Sequence, residues 1–254
     1  GVNIHHSELV GLIPQAALVD AAVWYTQLDQ FEPEQLLEGR LYSTLNQAAA
    51  LPPDPYLFIK DLASENPTPG GGSAAAFTAA EAAALVAMVG KVTVGKKKYA
   101  AVEAQMWPMI EAADKLRLDL THAVEEDAAA FQGYMTAMRL PKTTEEEIAA
   151  RNAAMESATL TAARVPLHTA EMSLQVLDLA VTAASLGNVN AISDAASAGN
   201  LAAAGLRSAV LNVKINLKSL QDLSAAGNLI EDSHHLLAQS NEKLIKIEEQ
   251  LTSR

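Results

Sequence analysis

Asp127 is the residue of this sequence whose surroundings point most directly to chemistry. Leu116, Leu120, Val124, Asp127, Phe131, Tyr134 and Met138 recur at steps of three and four. Such spacing lines one face of an α-helix, and that face is expected to turn inward. One member of the stripe is a carboxylate. Its neighbours Glu125 and Glu126 fall off the stripe and can be solvated. A lone buried Asp is costly unless it is paired or hydrogen-bonded. Two readings stay open: a structural Asp that ties down a neighbouring helix, and an acid/base or charge-stabilising group with a tuned pKa.

Four further stretches can meet a ligand. Asn66-Pro-Thr-Pro-Gly-Gly-Gly-Ser73 feeds an alanine-rich helix. The backbone N–H groups of Gly71, Gly72 and Ser73, with the positive end of the helix dipole, suit an anion. No Gly-Lys-Ser/Thr follows, so this is not a P-loop, and no strand precedes it, so it is not a dinucleotide fingerprint. The plainer reading is a tight turn where two backbones touch. Lys96, Lys97 and Lys98 form a basic knot in an acidic chain. It is either a solvated face that complements a helix C-terminus or a landing site for the carboxylates of a ligand tail. The loop Gly187-Asn-Val-Asn-Ala-Ile-Ser-Asp194 gathers Asn188, Asn190, Ser193 and Asp194. These residues can cap the next helix or read the hydrogen-bonding edge of a flat heterocycle. Asn212, Lys214 and Asn216 interrupt an otherwise apolar helix, where polar groups cross-link helices or touch a ligand. His5-His6 and His234-His235 are adjacent pairs rather than helical metal-site spacings, and His122 and His168 stand alone. No metal is expected.

The elements that must position these residues follow from composition. Half of the 254 residues are apolar and only 4% are aromatic, with alanine dominant. That favours closely packed helices over sheet. The formal charge of −12 argues against a nucleic-acid surface, which needs a basic stripe. It also means that an anionic ligand needs local positive charge. Cysteine is absent, which excludes disulfides, thiolate metal sites and cysteine nucleophiles. No stretch reads as a signal peptide or membrane span. Ala74 to Val94 comes closest, but Glu81 and Lys91 interrupt it, and a cytoplasmic location is the expectation.

Val2 to Ile4 can form a short strand. Pro14 suits the first turn of a helix to about Leu28, and a second short helix is expected after Glu34. Leu51-Pro-Pro-Asp-Pro55 reads as a linker, with Asp54 capping a helix over Tyr56 to Ser64. Ser73 is the expected cap of the alanine-rich helix, which reaches about Val94. The central helix follows Lys96 to Tyr99, bends at Pro108 and stops at Pro141. Thr144 and Glu147 form a capping-box pattern for the next helix. That helix reaches Leu186, with Pro166 freeing the carbonyl of Ala162 and Gly187 as C-cap. Ser193 or Asp194 is expected to cap a helix to about Leu220, and a last helix spans about Leu229 to Thr252. The expected fold is an all-α, elongated multi-helix bundle with no sheet beyond the first few residues.

Taken together and in order, five motifs resemble one family. They are Pro67-Thr-Pro-Gly-Gly-Gly-Ser-Ala-Ala-Ala76, Val124-Glu-Glu-Asp-Ala-Ala-Ala-Phe131, Arg139-Leu-Pro-Lys142, Gly187 to Asp194, and Asn212-Val-Lys-Ile-Asn-Leu217. The family is that of the formimidoyltetrahydrofolate cyclodeaminases, which includes bacterial methenyltetrahydrofolate cyclohydrolases. The resemblance covers about Pro55 to Leu251. Ser7-Glu-Leu-Val-Gly-Leu-Ile-Pro14 and Ala17-Leu-Val-Asp-Ala-Ala22 look like the C-terminal end of a glutamate formimidoyltransferase domain. Residues 1–50 then form a transferase remnant plus linker, and 51–254 the cyclodeaminase domain. A full transferase, fused or separate, is an implied partner.

The resemblance implies an all-helical homodimer with its folate site near the subunit interface. It implies conversion of 5-formimidoyltetrahydrofolate to 5,10-methenyltetrahydrofolate with release of ammonia. No tightly bound cofactor is implied, and a tetrahydrofolate derivative is the substrate. Asp127 matches the family's catalytic aspartate. On this reading Gly71, Gly72, Ser73 and Lys97 meet the anionic tail, with one glutamate or several, and Asn188, Asn190 and Asp194 read the pterin. Two alternatives stand beside it: methenyltetrahydrofolate cyclohydrolase activity at the same site, and a non-catalytic dimerising module for a partner transferase.

Overall fold

The structure is a computed structural model that describes residues 14–32, 35–37, 56–220 and 223–253. The expected strand at Val2 to Ile4, the His5-His6 pair, the linker at Leu51 to Pro55 and most of the helix after Glu34 lie outside the described residues. The chain divides into two compact units, Gly1–Leu57 and Phe58–Arg254. In the first, helix α1 spans Gln15–Thr26 with Pro14 as its N-cap, close to the expected helix.

Helix α2 spans Leu57–Leu62, α3 Gly71–Lys91, α4 Glu103–Met138, α5 Glu145–Leu186, α6 Ile192–Leu217 and α7 Leu229–Ser253. Every regular element among the described residues is helical. The second unit is a bundle of long helices: α5 alone has 42 residues, which at 1.5 Å per residue is roughly 63 Å.

The centre of the bundle is α3, packed against α4, α5 and α6. Its Ala76, Ala79, Ala82 and Ala83 are fully buried. It is the one described helix long and apolar enough to cross a membrane, but its small side chains are those of a core helix around which others close tightly. At its start Phe58 of α2 stacks on Phe77, ring centroids 4.4 Å apart.

Two contacts fix α3 and α4 as antiparallel. Lys91 reaches Asp114 at 2.7 Å near one end, and Ser73 reaches Asp127 at 2.8 Å near the other. Helix α4 carries Pro108 inside its N-terminal part. The start of α5 has the expected capping box. Glu147 N donates to Thr144 Oγ1 at 3.2 Å, and Thr144 N donates to Glu147 Oε2 at 3.2 Å.

Pro166 lies inside α5 and cannot donate to Ala162, as expected. Asn216 of α6 supplies the missing donor, with Nδ2 2.6 Å from the Ala162 carbonyl. A sequence irregularity in one helix is thus met by a polar residue of the next.

Gly187 ends α5 but is extended, with φ −69° and ψ 176°, rather than left-handed. Glycine is needed there for space, since a Cβ would meet the Ala183 carbonyl oxygen at 2.4 Å. The expected caps of α6 are corrected. Neither Ser193 nor Asp194 caps it, because the 3-10 turn Val189–Ala191 precedes it and runs directly into it. Asn188 caps that turn instead, accepting from Asn190 N at 3.2 Å.

Candidate active site

The N-terminal end of α3 opens onto a cavity of about 280 Å³. One wall is the loop and first turn, Pro67 to Gly72. Helix α4 contributes Asp127, Phe131 and Tyr134, and α5 contributes Thr159 and Ala162. Asn212, Asn216 and Ser219 come from α6 and the turn that follows it.

Helix α3 starts earlier than Ser73 suggested. Gly70, extended at φ −120° and ψ −157°, is the N-cap, and no side chain caps the helix. Ser73 therefore sits inside the first turn. Its fully buried hydroxyl turns to α4 and donates to Asp127 Oδ2 at 2.8 Å. The N–H groups of the first turn have no intrahelical acceptor, so the Asp127 carboxylate stands at the positive end of α3.

Gly72 makes this possible. A Cβ there would lie 2.1 Å from Asp127 Oδ1. Only a bare Cα lets the carboxylate rest on the helix backbone. Gly71 plays a milder part opposite Asn212, whose Nδ2 would be 3.4 Å from a Cβ.

Asp127 is half-buried rather than sealed inside, which corrects the inward stripe. Leu116 and Leu120 are buried, but Phe131 is 36% and Met138 38% exposed. The cause is the antiparallel pairing. Beyond Asp127, α4 runs past the start of α3 and loses that neighbour, so its stripe becomes the wall of a cavity. Asp127 ties α4 to α3 through Ser73, and it also lines space that a ligand can enter.

Two amides, Asn212 and Asn216, line the same cavity as Asp127. Asn212 Nδ2 donates to Ser208 O at 2.9 Å, and Asn216 Nδ2 to Ala162 O at 2.6 Å. Each keeps its oxygen and a second N–H for a ligand. Phe131 and Tyr134 add flat apolar surface. The sequence showed these aromatics only as part of a stripe. Thr159 carried no signal at all.

The remaining expected contacts lie elsewhere. Lys97, Asn188, Asn190 and Asp194 gather at the C-terminal end of α3, which is 21 residues long, roughly 30 Å from the glycine loop. Asn188 is 6% exposed and fully engaged. Its backbone N–H donates to Thr93 Oγ1 at 2.8 Å and its Nδ2 to Val92 O at 3.2 Å. Its Oδ1 accepts from Tyr99 Oη at 3.3 Å. Lys97 lies in the 3-10 turn Lys97–Tyr99, Asn190 is exposed and Asp194 sits in the first turn of α6. Within one chain, then, Asp127, Gly71, Gly72 and Ser73 form one group and these four residues another. Among the described residues no three His, Asp or Glu side chains converge as a metal-binding group.

Comparison with known proteins shows the family. A methenyltetrahydrofolate cyclohydrolase from Methylorubrum extorquens is 45% identical over 197 residues, covering 78% of this chain and 95% of that protein. A formimidoyltransferase-cyclodeaminase from Sus scrofa is 30% identical over 273 residues, covering 98% of this chain. This chain spans about half the length of that relative, 50%. The crystal structure of formiminotetrahydrofolate cyclodeaminase from Thermotoga maritima matches with a TM-score of 0.70 and 30% identity, over 78% of this chain and 96% of that one. The formiminotransferase-cyclodeaminase family model matches residues 56–234. That span holds the whole cavity, and the chain belongs to this family of folate one-carbon enzymes.

Proposed function

We propose that the chain converts 5-formimidoyltetrahydrofolate to 5,10-methenyltetrahydrofolate and ammonia, with Asp127 as the proton-transfer residue. The observation that carries this reading is the Asp127 carboxylate, held by Ser73 at 2.8 Å on the wall of a cavity of about 280 Å³. That volume is near the lower end of small-molecule sites, about 300 Å³, and suits a bicyclic head rather than a whole folate.

Ring closure needs N10 to attack the amidinium carbon carried on N5. N10 then loses a proton, the C–N bond to the departing nitrogen breaks, and that nitrogen gains the proton to leave as ammonia. One carboxylate can move the proton, because both nitrogens hang on the same carbon. The product bridge is cationic, and the same carboxylate opposes the charge as it develops. The attack is intramolecular, so holding both arms between Phe131, Tyr134 and the first turn of α3 supplies much of the acceleration.

The match to a formimidoyltransferase-cyclodeaminase over 98% of the chain supports the deaminase, since it takes in the N-terminal stretch as well as the bundle. A second reading, hydrolysis of the methenyl bridge to formyltetrahydrofolate, is favoured by the 45% identity to a cyclohydrolase. In that reaction Asp127 would take a proton from attacking water. Purified protein given each substrate separates the two: ammonia release from the formimidoyl compound supports the first reading, and bridge hydrolysis without it the second. Asp127→Asn keeps the shape and removes the base. It is expected to lower turnover by at least about 10²-fold with folate binding nearly intact. A variant that keeps more than about a tenth of the rate makes Asp127 structural.

A further inference from the structure

Next to the cavity beside Asp127 lies a second hollow of about 130 Å³, lined by Arg151, Asn152, Met155, Glu156, Leu220 and two residues that also line the cavity, Thr159 and Ser219. The two hollows adjoin at Thr159 and Ser219, between α5 and the end of α6, so a ligand that spans both would lie in one groove. Arg151 is the only cation among the described residues lining either part. Its Nε donates to Met138 O at 3.0 Å, at the end of α4, which sets the guanidinium plane and leaves both terminal nitrogens available. No carboxylate of a described residue is paired with it.

We propose that Arg151 is a specificity-determining residue that binds the glutamate carboxylate of the folate tail. This rests on the folate reading above. With the N5 and N10 edge at Asp127, what extends from N10 is an aryl ring, an amide and then a glutamate. The groove offers the matching sequence. Thr159 and Ser219 border both hollows, Met155 and Leu220 supply apolar surface for the ring, and Arg151 stands on the side away from Asp127. Arg151 is eight residues from Thr159, roughly 12 Å along α5, about the reach of an aminobenzoyl group with one glutamate. A guanidinium fork meets a carboxylate with two parallel hydrogen bonds.

Glu156 lies in the same hollow. It can accept the N–H of the benzoyl–glutamate amide, and its charge repels a tail that stops short of Arg151. A protein of net charge −12 needs such a fixed cation to hold a dianionic tail. The lysines at 96–98 cannot serve within the same chain, since they lie at the other end of α3.

The test compares tetrahydrofolate with tetrahydropteroate, which lacks the glutamate, by titration calorimetry on the whole chain. Wild type is expected to prefer tetrahydrofolate. Arg151→Gln is expected to weaken tetrahydrofolate about tenfold, the loss of one charged hydrogen-bonding group, and to leave tetrahydropteroate within about twofold. Arg151→Lys, which keeps the charge without the fork, recovers part of the preference. Equal weakening of both ligands means that Arg151 acts only through Met138 and overturns the proposal, as does no weakening of either. Wild type binding neither ligand removes the folate reading together with this one. Wild type binding both alike, while Asp127→Asn still abolishes turnover, removes only the role of Arg151.

Discussion

Gly72→Ala tests the site with a single added methyl group. That methyl would lie 2.1 Å from Asp127 Oδ1, 2.6 Å from its Cγ and 2.8 Å from Oδ2. Ordinary contact begins near 3.4 Å, so the carboxylate must retreat by about 1.3 Å. The retreat breaks the 2.8 Å bond from Ser73. A hydrogen bond to a charged group contributes about 1.5–3 kcal/mol, and the lower end applies to a half-buried carboxylate. Ala in place of Gly inside a helix recovers about 0.5–1 kcal/mol. The net destabilisation is about 1 kcal/mol, which for a domain of this size lowers Tm by roughly 2–4 °C. Activity should fall much further, because moving a reacting group by about 1 Å can cost about 10²-fold. The assay is the appearance of the methenyl chromophore, run beside a thermal melt. Gly133→Ala is the control, since a Cβ at this α4 glycine meets nothing within 4 Å; it should keep the rate and gain slightly in Tm. A Gly72→Ala enzyme working at the wild-type rate would show that the carboxylate need not rest on the first turn of α3.

Two other predictions concern the frame. Asn216→Ala leaves the Ala162 carbonyl without its donor and should cost about 1–3 kcal/mol in urea unfolding. Pro166→Ala restores a backbone donor within α5, so the same Asn216→Ala change should cost about 1 kcal/mol less in that background; equal costs in both would disconnect the two residues. Asn188→Ala removes the acceptor for Tyr99 and the donor to Val92. It should destabilise by about 2–3 kcal/mol while leaving KM within about twofold, whereas a large rise in KM at unchanged stability would return Asn188 to the ligand.

Much of the frame was legible because local rules act alone at helix ends and at prolines. The Thr144–Glu147 box, the stop at Leu186 and the freed carbonyl of Ala162 depend on a few neighbouring residues, and each stands where the spacing put it. Tertiary placement was not local. Ser73 has the side chain of a cap, yet the flexible glycines before it let the helix begin at Gly71, and the hydroxyl met Asp127 instead. Asn188 and Asp194 have the groups of a ligand reader, but which end of α3 they adjoin depends on how α5 returns along the bundle. Nothing within eight residues of sequence carries that information. Periodicity likewise placed Asp127 on an inner face without telling where the neighbouring helix stops.

That stopping point explains why the site is where it is. The backbones of α3 and α6 touch: a Cβ on Gly205 would be 2.9 Å from the Ala75 carbonyl oxygen and 3.1 Å from Ala79 Cβ. Two turns further along α6, the same close approach brings Asn212 to Gly71. Alanine and glycine therefore set a spacing at which short polar groups on α4 and α6 can reach the first turn of α3. At Gly71 the central helix ends, while α4, α5 and α6 run on past it. The cavity occupies the room that another turn of α3 would have filled. A side chain larger than Gly at 205 would push α6 outward and widen that room. Carboxylate and amides would then lose their common reach, without any residue of the site itself having changed.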